Sequence, residues 1–436
     1  MKILFVENRY KTGFWELIAK RLMSEGHEIY WIIQNHFFKP SIGERNVIPY
    51  FKFKSYIKKD RDIKKIIDSD RAINFFGIKS DDFIYYYYDQ ILKIIQKVKP
   101  DMAFGEATLF HELLTAEICK KNDILYLHPT SCRYPLGRFS FYKYDTLEPF
   151  GGSEEVIENE EAVDIIYKIK NHQIRPDYMT VPVPGFIDKL KNKITITSAQ
   201  LLGEKFNTPS LFQKMKLENE RKRVIKEWDR IAASDIIDDD NTFKVLYPMQ
   251  YQPEANIDVW GYPFNNQENI IRDIISKIPD SAKLYVKPNP KSKYELNASL
   301  LDFVKSNNKI VPLSHSVRMD SIFSKIDFVV TVTGTISFEC IWGDRPFLML
   351  GTQGIQKKYC KYDSSVLPLL DHKTFKGMIL LSTAEEKTVL IQELVATSYK
   401  GYIGDTFLNT VYLDKNNIDN VTNAFKNILL KIRRLS

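Results

Sequence analysis

Five short apolar runs, FKVLYPMQ, AKLYVKP, KIVPL, DFVVTVT and PFLMLG, punctuate residues 243 to 351. Each is four to eight residues long, rich in β-branched and aromatic side chains, and apolar at consecutive positions. That is the pattern of a strand buried on both faces. Segments over 265–277, 294–306, MDSIFSKI and 335–342 lie between them and read as helices. Strand, helix, strand in alternation requires crossover connections, and therefore a parallel sheet. The start of the chain keeps the same rhythm: a strand over Ile3 to Val6, a helix over 13–24 ending at Gly26, and a strand in HEIYWII. An amphipathic helix in FIYYYYDQILKIIQKVKP, closed by Pro100, leads to DMAFGEA, a helix over 110–120 and DILYLHP. The expected class is α/β, with two doubly wound, Rossmann-like domains facing a cleft.

At 436 residues the chain exceeds one ordinary core, which also favours two domains. The boundaries expected are 1–150 for an N-terminal domain, 151–240 for a helical extension and linker, 241–404 for a C-terminal domain and 405–436 for a terminal helix. In the extension, Ser153 precedes two glutamates and is expected to cap a helix. Helices are expected over 185–205 and 210–233, with DIIDDDN as linker rather than a metal motif. The terminal helix carries Ile418, Val421, Phe425, Ile428 and Ile432 at helical spacing and is expected to pack across the domains. No apolar run reaches the ~20 residues of a membrane span, and the N-terminus reads as a strand rather than a signal peptide. Four widely spaced cysteines without a CxxC pair point to a reducing compartment, the cytoplasm. A net charge of +7 is modest for this length; it permits anionic substrates and argues against a nucleic-acid partner.

Chemistry is expected at the carboxyl ends of the strands, where open α/β sheets bind ligands. Thr333 ends a strand, and Gly334, Thr335 and Ser337 open the helix behind it. Free N–H groups there favour an anion, Gly334 permits close approach, and the two hydroxyls can add donors to a phosphate. A capped core helix with incidental hydroxyls accounts for the same residues. Glu339, one turn in, suits a neutral partner such as a ribose hydroxyl. LYVKPNPKS places Lys287, Asn289 and Lys291 past another strand, on a turn stiffened by Pro288 and Pro290. YPMQYQPEA brings Gln250, Gln252 and Glu254 to the same edge.

YPMQYQPEA, LYVKPNP and VVTVTGTISFE…GDRPFLMLG together resemble bacterial capsule and surface-polysaccharide glycosyltransferases of GT-B architecture, nearest to transferases of Kdo and related keto-sugar acids. The likeness spans about 245 to 351 and is only architectural over 1–150. It implies a nucleotide-sugar donor, CMP-linked by preference and UDP or GDP otherwise, held by Lys287, Asn289, Thr333, Gly334, Thr335 and Ser337, with Glu339 near the ribose or in a supporting shell; Gln250 and Gln252, from the loop at the same edge, are counted with them. It implies no other cofactor and no metal. The acceptor would be a glycan or lipid-linked glycan. Such relatives carry His-Pro where this chain has Asn289-Pro290, and an amide cannot act as a general acid. His315, in LSHSVRMD, can substitute if it lies beside the site; a surface turn histidine is the alternative.

Transfer needs a base for the acceptor hydroxyl. Glu106 follows a buried strand and Gly105 and is the first candidate; Glu7, after the first strand, is the second. His111 and Glu112 read as supporting residues. LHPTSCRYPLGRFSFYKYD offers His128, Arg133, Arg138 and Lys143 among aromatics, as for an anionic or sugar acceptor. The basic end LLKIRRLS suggests peripheral contact with an inner membrane. Two other functions stay open: a sugar-nucleotide epimerase or hydrolase on the same scaffold, and a non-catalytic nucleotide-binding assembly partner.

Overall fold

The computed structural model describes residues 1–52, 59–171, 173–174, 185–237, 239–405 and 410–435. Asp238 of the expected linker lies outside the described residues. In chain order the strands are β1 (Lys2–Val6), β2 (Glu28–Ile33), β3 (Glu44–Val47), β4 (Met102–Phe104), β5 (Leu125–Ser131), β6 (Arg138–Lys143) and β7 (Pro149–Gly151). There follow β8 (Phe243–Pro248), β9 (Ala282–Lys287), β10 (Ile310–Pro312), β11 (Phe328–Thr331), β12 (Phe347–Met349) and β13 (Tyr399–Lys400).

Two units divide the chain: Met1–Ser210 with Thr388–Ser436, and Leu211–Lys387. These limits differ from those expected. The stretch 151–240 is shared, with helices Asn159–Lys170 and Phe186–Leu202 in unit 1 and helix Leu211–Ile231 in unit 2. The cause is packing. Val224 and Trp228 of helix Leu211–Ile231 are buried in the unit 2 core, and the Trp228 indole donates to the Leu313 carbonyl at 2.9 Å.

Unit 1 has a sheet in the order β13-β6-β5-β4-β1-β2-β3, with β7 on β6. The neighbours from β5 to β3 are parallel, Ile3 of β1 lying opposite Ile29 and Met102. Helix Lys11–Ser24 buries Phe14, Trp15, Ile18, Ala19 and Leu22 on one face. Helix Asp82–Val98 likewise buries Phe83, Tyr87, Ile91 and Ile95, and Lys99 leaves it in the left-handed region ahead of Pro100. The terminal helix Lys415–Leu435 puts Val421, Phe425 and Ile428 into the core of this unit, with Phe425 against Phe104 at 4.6 Å.

The antiparallel edge was not foreseen. RFSFYK, expected as an acceptor-binding loop, is β6, paired antiparallel with β5, β7 and β13. Its period-2 pattern explains this, since Phe139 and Phe141 are fully buried in the core. Ser153 caps no helix. Its hydroxyl accepts from Arg138 and from the Glu155 amide, and the next helix begins at Asn159.

Unit 2 has an all-parallel sheet, β10-β9-β8-β11-β12. Asn266 and Asn297 cap helices Gln267–Lys277 and Ala298–Ser306 by accepting from Asn269 and Leu300 amides. Numbered within the unit, these strands run 3-2-1-4-5, as do the parallel strands of unit 1. The α/β class with two doubly wound sheets is therefore as the sequence implied. Order reverses between β1 and β4 in one unit and between β8 and β11 in the other, and such reversals open a crevice at the carboxyl ends.

Candidate functional site

In unit 2 the reversal is lined by Gln250 after β8 and Thr333 after β11. The Gln250 amide donates to the Thr333 carbonyl at 2.6 Å, and the Thr333 hydroxyl donates to the Asn256 carbonyl at 2.8 Å. Gly334 follows with φ +93° and ψ 179°, a region that excludes side chains, and leads into helix Thr335–Trp342. A Cβ there would lie 2.6 Å from the Gln250 amide nitrogen. Glycine is thus demanded twice, by conformation and by the close amide. Gly334→Ala is expected to destabilise unit 2 by about 1–3 kcal/mol. Thermal denaturation measures that loss.

The neighbouring candidates divide into those facing the edge and those committed to structure. Ser337 is fully buried and its hydroxyl donates to the Gly334 carbonyl at 2.7 Å, so its proton is not available to a phosphate. Gln252 is buried too. It donates to Asp258 at 2.6 Å and to the Asn265 carbonyl at 2.8 Å, and accepts from Gln267. Gln267 in turn bonds both backbone groups of Gln250. This amide network fixes the loop after β8, and Gln252 acts through it. Glu254 carries its amide on Asp258 and accepts from Asn256. Thr335 is half-buried at the first turn of the helix. Glu339, further along, is pushed up to about 7 by burial and by nearby Asp320. A carboxyl titrating near 7 carries only part of its charge at neutral pH, which weakens the repulsion toward an anion that the sequence suggested.

Lys287, the last residue of β9, is 3% exposed and donates to the Pro288 carbonyl at 2.8 Å. Burial lowers it to about 8, with Asp229 opposing. Asn289 accepts from the Lys291 amide at 2.8 Å and so closes the turn. His315 follows β10. Its Nδ1 and its backbone amide both lie 2.9 Å from Asp229, and the Lys287 ammonium lies 3.4 Å from its carbonyl. The structure thus brings Lys287 and His315 together, with Asp229 as a partner that the sequence gave no reason to single out.

In unit 1 both carboxylate candidates sit at the β1/β4 reversal. Glu7 is fully buried and accepts from three backbone amides, Arg9 at 2.6 Å, Asn35 at 2.8 Å and Gln34 at 3.3 Å. Burial raises its carboxyl above the usual range despite His111 and these amides. Its geometry is that of a carboxylate holding two strand-end loops together. Glu106 differs. It is 7% exposed, and Lys11 lies 2.6 Å from it, near enough to pair by charge though not aligned as a hydrogen bond. Burial pushes its carboxyl up to about 7, against the attraction of Lys11. Gly105 is required beneath it, since a Cβ would lie 2.2 Å from the Tyr126 hydroxyl that donates to the Glu106 carbonyl. A carboxyl titrating near neutrality at the head of a strand is suited to proton transfer.

His111 and Glu112 belong to the same edge. The His111 Nε2 donates to the Glu7 carbonyl at 2.8 Å, and Glu112 gathers Asn8, Thr108 and the Leu109 amide. Lys11 was missed by sequence reasoning, being only an ordinary helix lysine until the fold sets it beside Glu106. The basic loop fares differently. His128 is buried with both ring nitrogens engaged, by Thr130 and the Thr146 carbonyl, and burial lowers it to about 4. Arg138 is 6% exposed and Lys143 pairs with Glu148. Those side chains serve the fold rather than an acceptor.

Among the described residues no group of three or more His, Cys, Asp and Glu is placed to hold a metal, and no helix is long and apolar enough to cross a membrane. No protein-family model matches the chain, and no curated relative does. Among solved structures it is similar to the UDP-GlcNAc 2-epimerase of Neisseria meningitidis bound to UDP-GlcNAc, at 13% identity over 99% of this chain and 100% of that one, with a TM-score of 0.29. It is also similar to the KpsC β-Kdo 2,7 transferase of Thermosulfurimonas dismutans, at 12% identity, 97% and 99% coverage and a TM-score of 0.37. MurG of Acinetobacter baumannii is similar at 9% identity, 98% and 99% coverage and a TM-score of 0.22. Likeness this distant assigns no role to any residue of this chain.

Proposed function

We propose that the protein is a nucleotide-sugar-dependent glycosyltransferase that extends a bacterial surface glycan, acting in the cytoplasm or at the inner membrane surface. The observation that carries this reading is the pairing of two 3-2-1-4-5 sheets in one chain, each with polar side chains at its strand-order reversal. Donor binding is assigned to unit 2, where the amides opening helix Thr335–Trp342 and the Lys287 ammonium suit a nucleotide phosphate. Acceptor activation is assigned to unit 1. There the Glu106 carboxylate takes the proton of an acceptor hydroxyl as its oxygen bonds to the anomeric carbon. The bond from that carbon to the donor phosphate breaks, and the electron pair leaves with the nucleotide. Preorganised N–H donors stabilise that departing charge. A CMP-linked keto-sugar acid is the favoured donor, from the sequence resemblance.

Calorimetric titration with CMP, UDP and GDP tests the reading. Selective binding of one nucleotide, lost in Gly334→Ala and weakened in Lys287→Met, is the expected result. Absence of binding to all of them would overturn it. Acceptor-dependent release of nucleotide from the matching sugar donor then separates a transferase from an epimerase or hydrolase.

A further inference from the structure

The crevice at the head of β1 and β4 holds more acid than base. Glu7, Glu106, Glu112 and Glu204 are all buried there, at 0%, 7%, 0% and 2% exposure. Against them stand Lys11, beside Glu106, and Arg9, whose guanidinium donates to the Thr208 hydroxyl. Glu204 is carried in by the loop after helix Phe186–Leu202. It accepts from the Phe206 and Asn207 amides, and Phe206 stacks on Phe83 at 4.0 Å. Asn207 is thereby fixed beside Gln34, to which its amide donates at 3.0 Å.

Apart from Glu106 Oε1, which has the Lys11 charge beside it, two acceptors in this cluster have no donor. His111 gives its Nε2 proton to the Glu7 carbonyl, so Nδ1 carries a lone pair, and that nitrogen is buried without a partner. The Asn207 Oδ1 is likewise buried and unpartnered, its amide orientation set by Gln34. Both residues are nearly inaccessible, at 0% and 5% exposure. Buried acceptors without donors are costly, and they are answered by a group that brings O–H or N–H. A carboxylate or phosphate group brings only more acceptors, among carboxyls that burial already disfavours in their charged form. A sugar hydroxyl brings a proton.

We propose that this crevice binds a neutral, hydroxyl-bearing sugar in preference to an acidic one, with His111 Nδ1 and Asn207 Oδ1 accepting from its hydroxyls. That this sugar is the acceptor rests on the transferase reading above. It narrows the acceptor class, since the basic loop that suggested an acidic acceptor is engaged elsewhere (His128, Arg138 and Lys143 all have partners).

Saturation-transfer NMR on the full chain tests this, with methyl α-glucoside and N-acetylglucosamine as neutral probes and glucuronate as the acidic one. The neutral probes are expected to bind saturably and glucuronate at least tenfold more weakly. In His111→Gln the side-chain amide can still donate to the Glu7 carbonyl, but the Nδ1 acceptor is gone, and neutral binding should fall at least fivefold. Asn207→Ala should do the same, with thermal midpoints and nucleotide titration checking that both variants fold. Glucuronate binding as well as the neutral probes would overturn the proposal. So would neutral binding indifferent to both substitutions, or no binding by any probe. Should the neutral probes bind while no nucleotide does, the transferase reading falls and the sugar site stands; nucleotide binding without sugar binding gives the converse.

Discussion

On the transferase mechanism proposed above, Glu106→Gln should lower acceptor-dependent transfer by about 10²–10⁴-fold, the usual contribution of a positioned general base. Nucleotide affinity should be unchanged, because the substitution lies in unit 1. The pH dependence makes the prediction specific. Burial raises this carboxyl from 4.5 to about 7 in the folded protein. A base must be ionised, so kcat/KM should climb with pH and level off above about 7, and the variant should lack that limb. Stability should move the opposite way. The folded state holds the proton more tightly than the unfolded chain, so its contribution is complete below 4.5 and is lost as pH rises through about 7. The shift corresponds to a few kcal/mol, on the order of 3. Glu106→Gln should therefore melt higher than the parent at pH 8 and about equally at pH 5. A variant that keeps full transfer would remove Glu106 from the chemistry and return attention to Glu7.

Arg138→Ala should strongly destabilise unit 1. The guanidinium donates to the Ser398 hydroxyl at 2.7 Å, Glu155 at 2.9 Å, the Ser153 hydroxyl at 3.1 Å, and the Val395 and Ser398 carbonyls at 3.0 Å. It thereby fastens the returning segment Thr388–Ser436 to the sheet built by the first 210 residues. Removing it strands buried acceptors and should cost about 3–5 kcal/mol. For a unit of this size that lowers the thermal midpoint by roughly 10 °C. Arg138→Lys keeps the charge, has three donors instead of five, and should recover only part of the loss. An unchanged midpoint would show that β13 and the terminal helix hold without this clamp.

How much of the site could be read in advance varies by residue type. Gly334 and Glu106 stood out because each follows an apolar run, at a point where a strand must end and a helix begin. Position along a βαβ unit was enough to put them at a carboxyl edge. Ser337 and Gln252 have the right chemistry and the right spacing, yet their side chains turn inward to the Gly334 carbonyl and to Asp258. Spacing does not specify a rotamer. Lys11, Asp229 and Asn207 carry no local signal at all, since their partners lie 95, 86 and 173 positions away in the chain.

The β6 strand marks the same limit from another side. RFSFYK alternates with a period of two, and that signal was present, but the interspersed arginine, lysine and tyrosine also fit an exposed basic loop. Only pairing with β5 and β13 buries Phe139 and Phe141 and takes Arg138 out of solvent.

What the sequence determined by itself is the alternation of strands and helices, and through it the parallel sheets, because consecutive apolar runs joined by helical segments have few other ways to bury both faces. Tertiary structure alone decided which end of the chain completes which unit, which polar side chains face the crevices, and which carboxyls titrate near neutrality. Those depend on burial and on partners distant in sequence, and burial is a property of the packed chain, not of any stretch of it.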